Sequence, residues 1–251
     1  MADDTGYRGD AARLYDRQVS VSDRDDAGFY RERAKSVDGP ALELACGTGR
    51  VYLELLRAGV DVDGIDLSSD VLDVLREKVD DEGLEPSVWQ ADMTEFTVDR
   101  EYDLIYCPFN SVQHLRTADD QLGALESVYD ALAPGGQFVF DVFVPSFDLV
   151  CEEYGEWQSE DVEFDGEPHT FRTRTQITDE VEQWFSVENE LHRDEELVFE
   201  ERLQLTFLPK RELELLARIS PFDSWDVAGG FDGEPIEDGD TTQVWTMEKS
   251  V

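Results

Sequence analysis

The residues that could do chemistry in this chain are acids paired with a glycine turn: Glu43 with Gly47 and Gly49, then Asp66, then Asp92. Glu43 lies in Ala41-Leu42-Glu43-Leu44-Ala45-Cys46-Gly47-Thr48-Gly49-Arg50, an apolar strand running into a glycine turn, followed by Val51-Tyr52-Leu53-Glu54-Leu55-Leu56 as the start of a helix. Glycine lets the backbone turn sharply and approach a ligand, and a helix that begins there offers it unpaired amides. Such a corner binds nucleotides. A dinucleotide pyrophosphate asks for G-x-G-x-x-G, but here the third glycine is missing and Glu43 stands where phosphates would be repelled. A carboxylate suits a cation. Asp66 ends the next apolar stretch, at about the 20-residue separation at which an acid takes a ribose diol.

A parallel sheet is what would bring these residues to one rim. After Asp38-Gly39-Pro40 the chain alternates strand and helix as such sheets do. Strands are expected at 41–44, 60–66, 88–91, 102–107 and 137–143. Ser68 can cap a helix to about residue 81 with Val71, Leu72, Val74, Leu75 and Val79 on one face. A second helix, over 119–133, carries Leu122, Leu125, Val128, Tyr129 and Leu132 and is closed by Ala133-Pro134-Gly135-Gly136. Ligands in open parallel sheets sit beyond the carboxyl ends of the strands, so Pro108-Phe109-Asn110-Ser111-Val112-Gln113-His114-Leu115 faces the reacting group.

Two helices, 10–17 and 24–37, precede the sheet; the second has Phe29, Tyr30, Arg33, Ala34 and Val37 at helical spacing. Past Pro145 the pattern changes to period two, as in Phe171-Thr173-Thr175-Ile177 and Leu203-Leu205-Phe207. This reads as an inserted antiparallel sheet of about three strands over 145–208, with a turn at Asp165-Gly166. Pro209 then opens a helix with Leu213, Leu215, Leu216 and Ile219, and strands follow at 225–228 and 242–247. The expected organisation is N-terminal helices over 1–40, a core over 41–144, the insert over 145–208 and the end of the core sheet over 209–251.

Composition narrows the function further. The 251 residues hold 60 acids against 21 bases, a formal net charge of -39. Such a field repels nucleic acid and anionic membrane, so neither is an expected partner. The acids are spread over amphipathic segments rather than gathered in a tail, as on a halophile's surface. No apolar run is long enough to span a bilayer and the N-terminus is acidic, so a cytoplasmic location is expected. Cys46, Cys107 and Cys151 are odd in number, and His114, His169 and His192 have no paired spacing with them. Neither a disulfide framework nor a metal site is expected.

The stretch Glu43-Leu44-Ala45-Cys46-Gly47-Thr48-Gly49 resembles the first motif of the class I S-adenosylmethionine-dependent methyltransferases. The departure is Ala45, where that family more often has glycine; alanine there expects a negative φ. The resemblance implies an α/β fold, a Rossmann-like, mostly parallel seven-stranded sheet with helices on both faces, here with the antiparallel β subdomain inserted. It implies S-adenosylmethionine as cofactor, with Glu43, Ala45, Cys46 and Gly47 at the first corner, Asp66 and Leu67 at the ribose, and Cys107 at the fourth strand tip. Asp92 would accept from the adenine amine while Met93 covers the ring.

The loop after the fourth strand resembles the Phe-Asn-Ser-x-x-His-Leu segment of a small-molecule subset that includes relatives of amino-sugar N-methyltransferases. The implied partner is a small-molecule methyl acceptor with a reactive nitrogen or oxygen. Asn110 would orient a polar group of it, and His114 is the nominee for a base should the acceptor be a hydroxyl. The plainer alternative for His114 is a histidine satisfied at a helix start. Tyr15 and Tyr30 are candidates for a substrate wall, against simple packing on the domain. The insert reads either as a lid, with Trp157, Arg172, Arg174 and Trp184 reading the acceptor, or as a homodimer contact. A cofactor-binding protein without turnover and, further off, a Rossmann dehydrogenase are the rival functions.

Overall fold

The computed structural model describes Ala12, Asp16 and residues 26–251 apart from Asp81 and Asp165. Of the helix expected over 10–17, Ala12 and Asp16 are helical, and its other residues, Tyr15 among them, lie outside the described residues. The chain divides into two compact units, one containing Gln113–Arg116 and Pro145–Leu208, the other Thr117–Val144, Pro209–Val251 and the described residues before 113.

The larger unit is built on a seven-stranded sheet: β1 (Ala41–Leu44), β2 (Val62–Asp66), β3 (Ser87–Gln90), β4 (Tyr102–Cys107), β5 (Leu132–Phe143), β10 (Ser224–Ala228) and β11 (Thr242–Glu248), in the order β10-β11-β5-β4-β1-β2-β3. β1 pairs in parallel with β2 and β4, β2 with β3, and β4 with β5; β11 runs antiparallel to β5 and β10. All four residues of β1 are buried, as expected of a central strand covered on both faces. Leu42, Leu44, Ile65, Leu104, Ile105 and Tyr106 form its interior.

Helices follow from sequence spacing. α1 (Ala27–Lys35) buries Tyr30 and Ala34, and α2 (Tyr52–Arg57) buries Tyr52, Leu53 and Leu55. α3 (Ser69–Asp80) turns Val71, Leu72, Val74, Leu75 and Val79 inward, the period of one helical face. In α4 (Ala118–Ala131), Thr117 caps the N-terminus by accepting from the Asp120 amide at 3.1 Å. The other end is held by Lys249, whose ammonium donates to the carbonyls of Tyr129 at 2.9 Å and Leu132 at 2.6 Å. Ala133 to Gly136, expected as the closing turn, are already part of β5, paired through Gly135 and Gly136 to Lys249. Among the described residues, no helix is long and apolar enough to cross a membrane.

The smaller unit carries α5 (Phe147–Glu152) and an antiparallel meander of β6 (Gln158–Phe164), β7 (Glu167–Asp179), β8 (Trp184–Arg193) and β9 (Glu196–Thr206). It has four strands where about three were expected. The extra one, β6, is an edge strand whose first four residues are polar and exposed, leaving only Val162 and Phe164 at its end to alternate. Gly166 has φ 75, at the turn that joins β6 to β7. α6 (Lys210–Ile219) starts after Pro209 and buries Leu213, Leu216 and Ala217. Leu215 and Ile219, expected on that face, are exposed.

Candidate functional site

The tips of β3, β2, β1 and β4 are neighbours on one rim because these strands are parallel and adjacent. From β1 the chain builds outward through β2 and β3, then returns to β4 on the other side of β1. That reversal opens the crevice in which such sheets bind ligands. The turn beyond β1 is left-handed at Ala45 (φ 52), Gly47 (φ 54) and Gly49 (φ 88). The expectation of a negative φ at Ala45 is therefore corrected. The position is one that glycine fits without strain, and alanine holds it at a cost of roughly 1–2 kcal/mol. A second correction concerns the helix: α2 starts only at Tyr52, and two of the turn amides ahead of it are already bonded within the protein. Gly49 donates to the Cys46 carbonyl at 2.9 Å, and Gly47 to Asp66 Oδ2 at 2.9 Å.

Asp66 joins the first two tips. Besides the Gly47 amide it accepts from the Ser68 amide at 2.8 Å, so one carboxylate fixes the glycine turn and starts α3. Burial raises its pKa, against the backbone bonds from Ser68, Gly47 and Leu67 that pull it down. Leu67, next along, leaves 55% of its surface exposed, an apolar face beside the acid. At the third tip Asp92 accepts from the amide and hydroxyl of Thr94 at 2.9 and 2.8 Å, and Met93 is half-buried beside it.

Glu43 differs from its expected form. It is 2% exposed and accepts from the Tyr106 hydroxyl at 2.7 Å. Burial pushes its pKa up to about 8; the Tyr106 bond and the Arg50 charge pull it back, while Asp26 and Asp66 push further. Glu43 is thus a neutral acid near pH 7 rather than a displayed anion. Cys46 and Cys107, at the first and fourth tips, are buried, and burial raises both thiols so that they stay protonated.

Beyond β4 the loop makes two successive left-handed residues, Phe109 (φ 62) and Asn110 (φ 59). Their amides donate to Asp141 of β5, at 3.0 Å to Oδ1 and 3.2 Å to Oδ2. Tyr30 also donates to Asp141 Oδ1, at 2.6 Å, and stacks on Tyr106 with ring centroids 5.2 Å apart. Tyr30 is fully buried, so the wall expected of it is corrected: it is part of the floor under the loop. Arg50, from the glycine turn, lies 4.9 Å from the Phe109 ring centroid and pairs with the buried Asp26 through both guanidinium nitrogens. Asn110 Oδ1 is buried and has no hydrogen-bond partner among the described residues.

The remaining candidates fall in the smaller unit. His114 is exposed there, at the end of a single 3-10 turn over Ser111–His114. Desolvation by surrounding protein atoms, then the Arg116 charge, push its pKa down to about 4. An exposed ring is penalised less than a sealed one, and with either depth of shift the imidazole is neutral at pH 7. Arg172 and Arg174, expected to read an acceptor, are engaged otherwise. Across the β7/β8 register they face Glu190 and Glu188, pairing at 3.2 Å and at 3.1 Å through Nε. Both guanidinium groups lie 4.6 Å from the Trp157 ring centroid. Opposite charges placed directly across a ladder stabilise the sheet, which accounts for both arginines without a ligand. Trp184 likewise donates to the Arg116 carbonyl at 3.0 Å.

Asp26, Arg50, Tyr106 and Asp141 were not singled out by the sequence. Asp141 alone carried a signal: it is the one polar residue in Phe138-Val139-Phe140-Asp141-Val142-Phe143, a stretch otherwise buried in apolar surroundings. Among the described residues, no group of three or more His, Cys, Asp or Glu side chains is arranged to hold a metal ion.

Comparison with known proteins bears on this rim. Residues 41–136 match the sequence profile described as "Methyltransferase domain". The putative methyltransferase YqeM of Bacillus subtilis (strain 168) is 34% identical over 138 residues, 54% of this chain and 55% of that protein. The dTDP-3-amino-3,4,6-trideoxy-alpha-D-glucopyranose N,N-dimethyltransferase of Streptomyces venezuelae is 29% identical over 142 residues, 54% of this chain and 58% of that one. The chain thus aligns with only about half the length of these curated relatives. The fold extends further. A solved S-adenosylmethionine-dependent methyltransferase from Clostridium acetobutylicum ATCC 824 superposes with a TM-score of 0.78 over 96% of this chain and 98% of that one, at 22% identity.

Proposed function

We propose that the protein methylates a small molecule on nitrogen or oxygen with S-adenosylmethionine, because residues 41–136 match a methyltransferase-domain profile and the chain has the class I methyltransferase fold. The observation that carries this reading is the rim itself: a left-handed glycine turn tied by Asp66 to the second strand tip, with Asp92 at the third, around the crevice beside β1. The chemistry of these groups fits the cofactor. Carboxyl oxygens of Asp66 suit a ribose diol, Asp92 an adenine amine, and the exposed Leu67 and half-buried Met93 the apolar faces of a base. When bound, the cofactor supplies a methyl group on a sulfonium sulfur, which leaves as an uncharged thioether.

Transfer then asks the protein chiefly to align the acceptor lone pair with that methyl and to exclude water. A nitrogen acceptor is the finer reading. An amine reacts through its own lone pair, whereas a hydroxyl needs its proton removed, and His114, with a pKa down to about 4, is a poor proton acceptor. Asn110 Oδ1, buried and without a partner among the described residues, is suited to accept from an amine N–H. The sugar N,N-dimethyltransferase among the relatives has such an acceptor in its name. Residues 145–208 are the part of the chain to which we assign acceptor choice, with self-association of that unit as the alternative. The net charge of -39 supports a cytoplasm rich in salt as the working environment, and argues against nucleic acid as substrate.

The test is transfer of labelled methyl from S-adenosylmethionine across a panel of small amines and alcohols that includes dTDP-amino sugars, in molar KCl. Labelled product from an amine is the expected result. Calorimetric binding of S-adenosylhomocysteine with no turnover on any acceptor would favour the non-catalytic binder, and absence of binding would sink the reading altogether.

A further inference from the structure

The loop that follows β4 is held in a conformation its own residues do not favour. Two neighbouring non-glycine residues, Phe109 and Asn110, are both left-handed, a state that persists only where surrounding structure enforces it. Among the described residues, one side chain bonds both of them. Asp141, fully buried on β5, accepts both backbone amides of that pair, one on each oxygen, and its Oδ1 also accepts the Tyr30 hydroxyl. The same turn presents Asn110 Oδ1 as a buried acceptor to which nothing among the described residues donates. A buried carbonyl is costly to leave unpaired, and at a site next to a strand tip the missing donor is most simply an N–H of the ligand.

We infer that Asp141 is a positioning residue: its carboxylate locks the Phe109–Asn110 turn so that the Asn110 side-chain carbonyl stays available to the acceptor's N–H. The inference rests on the methyltransferase reading for what arrives at Asn110, but not for the lock itself. Arg50 stacks on the Phe109 ring from the glycine turn, so the lock also ties the loop to the cofactor corner. Asparagine at 141 keeps the shape but offers one acceptor oxygen to the Phe109 and Asn110 amides and the Tyr30 hydroxyl, and turns an N–H toward one of the amides.

Two measurements decide it. In wild-type protein the Phe109 and Asn110 amides are expected to exchange with solvent about 10³-fold slower than free amides, and in D141N at least about tenfold faster than in wild type; rapid exchange in wild type, or unchanged exchange in D141N, overturns the lock. With S-adenosylhomocysteine as probe, D141N is expected to bind within about threefold of wild type, because Asp66 and Asp92 are untouched. With the acceptor found in the panel, kcat of D141N is expected to fall about 10- to 100-fold, as for small misplacements of a reacting group. The double variant N110A/D141N should then be no slower than N110A alone; losses that multiply would overturn action through Asn110. A panel with no acceptor would sink the methyltransferase reading while the exchange data still decide the lock. Should D141N fail to fold, the wild-type exchange rates and a Y30F variant, in which both amides keep Asp141 and should stay protected, decide it instead.

Discussion

Glu43→Gln should make the protein more stable at neutral pH and alter how its stability depends on pH. The Glu43 carboxyl ionises at 4.5 when exposed and near 8 when folded, because burial outweighs the Tyr106 bond and the Arg50 charge. Between those values the folded chain keeps a proton that the unfolded chain has released, so stability falls as pH rises, by about 1.4 kcal/mol per pH unit. At pH 7 the accumulated cost is at most about 3 kcal/mol. Glutamine reproduces the neutral acid's acceptor toward Tyr106 and has no proton to lose. It brings amide hydrogens that need partners, worth about 1–2 kcal/mol if unmet. The net gain at pH 7 is therefore expected at about 1–2 kcal/mol. The assay is urea unfolding of both proteins in molar KCl from pH 5 to pH 8.5. The difference between them should widen by about 1.4 kcal/mol per unit and level off above pH 8. A difference that stays constant across that range would refute the reasoning, whatever its size. If Glu43 ionises when the sulfonium of the proposed cofactor arrives, Glu43→Gln should also bind S-adenosylmethionine more weakly.

Four further outcomes are expected. Ala45→Gly should stabilise the fold by about 0.5–1 kcal/mol, because it removes a left-handed alanine while adding unfolded-state entropy; no change in the unfolding midpoint would count against strain there. Asp66→Asn leaves one acceptor oxygen for the Gly47 and Ser68 amides and should weaken S-adenosylhomocysteine binding about tenfold, as read by calorimetry. His114→Gln should change kcat less than about threefold and leave the pH–rate profile between 6 and 9 in place, since the imidazole is neutral throughout. Dialysis from 1 M to 0.1 M KCl lengthens the Debye length from about 3 Å to about 10 Å and should destabilise a chain of net charge -39; an unfolding midpoint that did not move would remove the argument for a salt-rich environment.

Much of this protein was legible without coordinates, and for a local reason. Apolar periodicity reports which face of an element is buried, so the strands at 41–44 and 102–107 and the inward face of α3 followed from neighbouring residues alone. The glycine turn and the acids at successive strand ends followed too, because a parallel order fixes which ends share a rim. Other features were set by partners distant in the chain. Glu43 read as an anion until Tyr106 and the surrounding core were seen to bury it. Tyr30 could be a wall or packing until its hydroxyl was found on Asp141, and Arg172 and Arg174 were candidates for reading an acceptor before the β7/β8 register set them opposite two glutamates. The sign of φ at Ala45 and the lock on Phe109 and Asn110 belong to the same class. Sequence by itself determined the elements, their order and the types of group on the rim, since those depend on spacing along the chain. Only tertiary structure decided which of those groups is charged, which is already bonded and which remains open, since protonation and hydrogen bonding depend on what the rest of the chain packs around them.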